Sequence, residues 1–354
     1  MAQTKVTMTA MQLHAMLLIA LVHHKIVGIY GGTGIGKSSI PIQVAEQLGW
    51  EVMIWYPALK ESVDFGGYPV EGKDAQKRAF MRMVAAHDLH RILYADKPLL
   101  VIIDELDKCD VSVMNAIAQI ILSRTVNGQT ISEHVRFVIT GNRLEDKCGG
   151  RPQPEHLKAR QCIIELQPDI KSWKRWALSH GVSIETVGYF DLKPQLLFDA
   201  KPNVRELVNT CNPRSAVALD NSLKNGLILD NFREKDERIS PYAMAVATGD
   251  VGRDVAMEYL TFLDVRKKLP SVDQILLNPA TAPLPKQADI TYMLCSALVH
   301  RLKAKPTIIG NCLQYTSRMT EDFKVMFAKV ASMEVPEVNQ NTEFNQYMAE
   351  IDTL

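Results

Sequence analysis

The sequence of 354 residues predicts an α/β protein: a largely parallel sheet wrapped by helices, then an all-helical domain, then a C-terminal helical extension. Three observations predict it. Between residues 26 and 166 short apolar runs alternate with helical patterns, the sequence form of strands joined by helical crossovers. After Pro168 only helical patterns follow. The Pro-rich stretch NPATAPLPKQ at 278–287 then sets off a last helical segment. The expected boundaries are 1–168, 169–277 and 278–354.

The apolar stretch AMLLIALV at 15–22 is too short to cross a bilayer and reads as a buried helix leading into the first strand. Five strands follow from runs bounded by Gly, Pro, Asn or charge: IVGIY at 26–30, EVMIWY at 51–56, LLVIID at 99–104, VRFVIT at 135–140 and CIIEL at 162–166. Strands this uniformly apolar are expected where helices cover both faces of a sheet. The first crossover helix carries Ile40, Val44, Ala45 and Leu48 at helical spacing and stops at Gly49, a natural left-handed terminator. Another helix begins near Asp110, buries Val113, Ile117, Ile120 and Ile121, and ends near Arg124. Asn127 and Gly128 then tolerate the positive φ that a tight hairpin requires. Trp173, Trp176, Ala177 and His180 share one stripe of the helix that ends before Gly181, and Trp173 and Trp176 read as core of the helical domain sooner than as a ligand-stacking pair. From Ala331 onward there is no Lys or Arg but there are five acidic residues, which predicts a frayed end or a contact tail.

Hydrophobic residues make up 47% and charged residues 23%, which excludes wholesale disorder and fibrous repeats. Lys and Arg total 40 and Asp and Glu total 40, so no global positive field gathers nucleic acid or anionic lipid. Six cysteines, Cys109, Cys148, Cys162, Cys211, Cys295 and Cys312, are scattered without a C-x-x-C pair and read as the reduced thiols of a cytoplasmic protein. MAQTK at the start imitates a signal peptide, but no small-residue cleavage site follows and no membrane insertion is expected. His23, His24, His87 and His90 have no carboxylate or thiol at ligand spacing, so they do not predict a metal site.

The strongest motif is GGTGIGKS at 31–38, which places Gly31, Gly36, Lys37 and Ser38 in the pattern G-x-x-x-x-G-K-[ST] between an apolar strand and an amphipathic helix. Such a loop cradles phosphates. Glycine lets the backbone curl so that successive N–H groups point at phosphate oxygens, and the next helix adds its positive end. Gly31, Gly32, Thr33, Gly34, Ile35, Gly36, Lys37, Ser38 and Ser39 are the expected nucleotide-binding residues. Lys37 would reach the β- and γ-phosphates of ATP, and the Ser38 hydroxyl would ligate Mg²⁺.

LLVIIDEL at 99–106 is a buried strand ending in two carboxylates. Beside a phosphate loop, Asp104 is placed to hold Mg²⁺ and Glu105 to accept a proton from an attacking water. A second acid directly after the first argues for hydrolysis over transfer to a small acceptor. Asn142, just past the fourth strand, can help position that water.

This ordered set resembles the AAA+ ATPases, and in detail their MoxR-like branch, over most of the chain. The resemblance implies a P-loop NTPase sheet with a helical lid. It matches Asn142 to sensor 1, Arg160 in PEHLKARQCIIEL to the arginine finger before the fifth strand, and Arg214 in NPRSAVALDN to the sensor 2 arginine opening a lid helix. DFGGYP at 64–69 is similar to the family's helix-2 insert, and residues 251–271 are similar to the end of its lid. Phe65 and Tyr68 in that insert read either as core or turn aromatics, or as part of a loop gripping a protein at a ring's centre. The chain departs from the family where Arg143 stands in place of Pro after the sensor 1 Asn, and where Gln161 stands in place of Phe after the finger. Arg151 and Arg124 are therefore rival arginines for action in trans.

The family further implies a homo-oligomeric ring, commonly a hexamer, that uses ATP to remodel or load a partner protein, often one with a von Willebrand factor A domain. A nucleic-acid-associated loader on the same core and a P-loop small-molecule kinase are the alternatives. The balanced charge speaks against the first, and Glu105, Asn142 and a lid opening with Arg214 have no place in the second.

Overall fold

The computed structural model describes residues 5–143, 150–198, 207–225, 241–267 and 271–352. Cys148 and residues 268–270 lie outside the described residues. The chain divides into two compact units, Met1–Arg233 with Ala245–Gly252, and Glu234–Met244 with Arg253–Leu354.

The first unit opens with a two-residue strand, β1 (Thr7–Met8), and helix α1 (Ala10–Val22). Thr9 caps α1 in a reciprocal box with Gln12. Then come β2 (Val27–Tyr30), α2 (Ser39–Leu48), β3 (Glu51–Trp55) and the short helix α3 (Ser62–Gly66). Gly49 ends α2 at φ 69°, as its left-handed role requires. A ribbon of β4 (Tyr68–Lys73) and β5 (Ala79–Val84) is inserted before α4 (His87–Leu93) and β6 (Leu99–Ile103). Helix α5 (Val111–Ser123) leads into the small hairpin of β7 (Thr125–Val126) and β8 (Gln129–Thr130), turned by Asn127 and Gly128 at φ 51° and 80°. Strand β9 (Val135–Gly141), one turn of helix α6 (Glu155–Lys158) and β10 (Cys162–Leu166) complete the α/β part.

Six strands form one sheet in the order β1-β10-β2-β9-β6-β3, and every pairing in it is parallel. All residues of β6 are buried, because alternate side chains feed two different cores. Leu100 and Ile102 pack with Val27, Ile29 and Val138 against Leu13 and Leu17 of α1 and Val44 of α2. Leu99, Val101 and Ile103 face Ile92 of α4 and Val113 and Ile117 of α5. The parallel sheet covered on both sides is the architecture that the uniform apolar runs predict. All five predicted strands are present in place. The edge strand β1 and the ribbon β4–β5 are additions.

Beyond the sheet the first unit continues with α7 (Ile170–Ser179), α8 (Ile184–Leu192), α9 (Pro194–Phe198) and α10 (Pro213–Lys224). Asp169 caps α7 by accepting from the Lys171 and Ser172 N–H groups. Asp220 of α10, fully buried, accepts from the Ser183 N–H at 3.0 Å and from the Thr186 hydroxyl at 2.8 Å at the start of α8, and pairs with Lys224 at 2.6 Å. Helix α11 (Pro241–Val251) is divided between the units.

The second unit contains α12 (Arg253–Lys267), α13 (Val272–Leu277), α14 (Ala288–Ala304), α15 (Ile309–Thr316), α16 (Glu321–Glu334) and α17 (Thr342–Asp352). It has its own core, with Leu298, Tyr315, Phe327 and Phe344 buried together. The acidic end of the chain is therefore ordered structure through Asp352, which corrects the expectation of a frayed tail. Phe344, Tyr347, Met348 and Ile351 recur at helical spacing and all pack on that core, while Glu343 and Glu350 are exposed.

Candidate nucleotide site

Strand β2 ends at Tyr30, and Gly31–Ser38 curl over the carboxyl rim of the sheet before α2 begins at Ser39. Gly34 and Gly36 take φ of 76° and 99°, conformations that L side chains resist. The loop also leaves no room at Gly34: a Cβ there would lie 2.3 Å from Asn212 Oδ1 and 3.4 Å from Arg214 Cβ. Asn212 caps α10, so this helix opens directly against the phosphate loop.

The structure brings four of the predicted site residues, Lys37, Ser38, Asp104 and Asn142, together at one point. Lys37 is buried, and its ammonium donates to the carbonyls of Gly31 at 3.0 Å and Gly32 at 2.7 Å and to Asn142 Oδ1 at 3.0 Å. Ser38 Oγ donates to Asp104 Oδ1 at 2.7 Å. The Thr140 hydroxyl donates to the same oxygen and accepts the Glu105 N–H at 3.3 Å. Glu105 adopts φ 53°, an unfavourable conformation for a residue with a Cβ, at the turn where β6 gives way to the following loop. Its half-exposed carboxylate pairs with Lys108 at 3.0 Å.

Asn142 is buried at the end of β9, with its N–H on Asp107 Oδ1 at 3.0 Å and its Nδ2 at 3.4 Å from Oδ2. Arg143, the next residue, pairs with Glu165 at 2.7 Å and so ties the loop after β9 to β10.

The three candidate trans arginines are in different situations. Arg124 sits at the end of α5 and donates to the carbonyls of Ser132 at 2.8 Å and Val135 at 3.3 Å. Arg151 pairs with Asp110. Arg160 is exposed two residues before β10, and its guanidinium has no partner among the described residues. The first residue of β10 pairs with the first residue of β2, so Arg160 stands at the amino rim of the sheet, separated from the phosphate loop by roughly 15 Å of strand. Gln161 is turned inward: its Oε1 accepts from the Tyr30 hydroxyl at 2.6 Å and its Nε2 donates to the Leu157 carbonyl at 3.1 Å. The Tyr30 phenol thus finds a close acceptor in Gln161. Burial raises the Tyr30 hydroxyl far above its ordinary range, so it remains a neutral donor.

Beside the loop lies a cavity of about 550 Å³, walled by the start of α1, Gly34–Gly36, Trp173 and Trp176 of α7, and Arg214. Trp173 is core, edge-on to Phe190 at 5.7 Å, yet it also forms part of this wall. Trp176 stacks on His180 at 4.7 Å. Three residues of the stripe, Trp173, Trp176 and His180, thus line the cavity beside the loop.

For a divalent cation, the relevant donors are one hydroxyl and one carboxylate, Ser38 and Asp104, already within hydrogen-bond distance. Among the described residues no three His, Cys, Asp or Glu side chains form a cage of their own. This donor set suits Mg²⁺, which keeps several waters and binds through one or two protein oxygens plus substrate phosphates.

Two residues of the site carry no motif in the sequence. Thr140 lies inside a strand run, and Asp107 is one more acid in a polar loop. The only signal for Asp107 is its closeness in sequence to Asp104 and Glu105.

The fold is a six-stranded parallel sheet with helices on both faces and an all-helical C-terminal region. Among solved structures, the chain is similar to the RuvB Holliday junction branch migration motor of Thermotoga maritima, with TM-score 0.37 and 16% identity over 82% of this chain and 80% of that one. It is also similar to NtrX from Brucella abortus in complex with ADP, with TM-score 0.38 and 15% identity over 92% of this chain and 68% of that one. No protein-family model and no curated protein matches the chain. Among the described residues no helix is long and apolar enough to cross a membrane.

Proposed function

We propose that the chain is a Mg²⁺-dependent ATPase of the AAA+ kind, similar to the MoxR-like branch, that assembles as a ring and uses hydrolysis to remodel or load a partner protein. The observation that carries the reading is the convergence on Lys37, Ser38 and Asp104 of groups from β6, β9 and the phosphate loop. Backbone N–H groups of Gly31–Gly36 and the start of α2 bind the phosphates, and Thr33, Ile35 and Ser39 complete the loop. The cavity walled by Trp173 and Trp176 is of a size to take the nucleoside. Lys37 neutralises charge on the β- and γ-phosphates.

Ser38 and Asp104 would hold Mg²⁺, which supplies a Lewis acid for the phosphate oxygens. Glu105 takes the proton of the attacking water and Asn142 orients that water. Arg214, at the opening of α10 against the loop, couples the helical lid to the nucleotide. Arg160 cannot serve the phosphates of its own chain across the sheet, and its free, exposed guanidinium supports action on a neighbouring copy.

The test combines calorimetry with phosphate release. ATP with Mg²⁺ should bind, and Lys37→Ala should weaken that binding by about tenfold or more. Specific activity should rise with protein concentration, and Arg160→Ala should abolish it with binding retained. Activity that is flat from dilute monomer upward refutes the trans role, and absence of binding refutes the whole reading.

A further inference from the structure

Asp107 lies on the loop between β6 and α5 and is 2% exposed. A buried carboxylate is costly unless donors satisfy it, and among the described residues the donors to this one both come from Asn142, its N–H and its Nδ2. The enclosure is tight. A methyl group on Gly141 would come within 2.9 Å of Asp107 Oδ1, and one on Gly150 within 2.6 Å of Oδ2. The Arg151 N–H also donates to the Asp107 carbonyl at 2.7 Å.

Asn142 is thus set between a carboxylate, which accepts, and an ammonium, which only donates. Its amide has one satisfactory orientation, Nδ2 toward Asp107 and Oδ1 toward Lys37. The reverse orientation would place oxygen against carboxylate and amide hydrogens against ammonium. We infer that Asp107 is a positioning residue for the hydrolysis proposed above: it fixes the Asn142 amide so that Oδ1 is presented on the Lys37 side, where the terminal phosphate would react. The inference rests on that reading of the site. It accounts for a carboxylate buried beside Asn142, where an apolar residue would be cheaper to bury.

The experiment is a double-mutant cycle on ATP hydrolysis with magnesium present. Asp107→Asn, whose amide can meet Asn142 either way round, should lower kcat by about tenfold or more while KM stays within about threefold. In an Asn142→Ala background the same change should cost less than about twofold, because the group being positioned is gone. Gly150→Ala keeps the charge but pushes the carboxylate aside, and it should give the same kcat loss with KM spared. It also decides the matter if Asp107→Asn yields no folded protein. Equal losses in both Asn142 backgrounds, or unchanged kcat in Gly150→Ala, overturn the inference and leave the ATPase reading standing. A parent protein that releases no phosphate overturns both.

Discussion

The Ser38 hydroxyl donates to Asp104 Oδ1 at 2.7 Å, and this one contact joins the start of α2 to the end of β6. The same carboxylate oxygen accepts from Thr140, so Asp104 is oriented from two sides. Asp104→Asn preserves an acceptor for both hydroxyls but removes the charge. Hydrolysis should fall by at least about a hundredfold, roughly 2.7 kcal/mol of barrier, with chelation of magnesium by EDTA giving a comparable loss. Phosphate release measured across a magnesium titration checks this: the variant should not regain the parent rate at any concentration.

Gly34 is required for two separate reasons, its φ of 76° and its approach to Asn212. Gly34→Ala adds backbone strain of about 1 kcal/mol and drives the methyl group into the cap of α10. The expected outcome is a stability loss of about 1–3 kcal/mol and at least about a tenfold loss of nucleotide affinity. Denaturant titration and calorimetry measure the two. Adding Asn212→Ala relieves the clash but not the strain, so the double variant should regain part of the affinity.

Asp220 links α10 to the start of α8. Burial opposes its charge, but the Lys224 ammonium and the Ser183 and Thr186 donors outweigh burial and hold the carboxyl below its ordinary 3.8. A carboxylate shifted this way contributes stability above pH 3.8 and loses it as pH falls through the lower folded value. The acid limb of a thermal unfolding profile should therefore begin below about pH 4. Asp220→Asn should lower stability at pH 7 by about 1–3 kcal/mol and flatten that limb. An acid limb that is identical in parent and variant contradicts the assignment.

The sheet was legible because its central strands β2, β6 and β9 are buried on both faces, and burial leaves a continuous apolar run in the chain. The ribbon was not legible for the opposite reason. Phe80, Met81 and Met83 are exposed, Val70 sits beside Glu71 and Gly72, and no alternation marks an inner face. The phosphate loop, Asp104 and Asn142 were legible since their chemistry demands particular residues at particular spacings. Thr140 and Asp107 act through geometry that only the parallel pairing of β6 and β9 creates. Trp173 shows a third case: helical periodicity marks it as buried but cannot distinguish a core from the wall of a cavity.

The ribbon of Tyr68–Lys73 and Ala79–Val84 has another consequence. Among the described residues no second layer covers it, and every one of its residues is at least partly open to water. A two-stranded sheet without a packed face is only marginally stable, so its amides should exchange with deuterium by local opening, long before the sheltered amides of Leu99–Ile103. The chain therefore carries a labile backbone pairing and a sheltered one within about thirty residues of each other, and unfolding monitored at one will not report on the other.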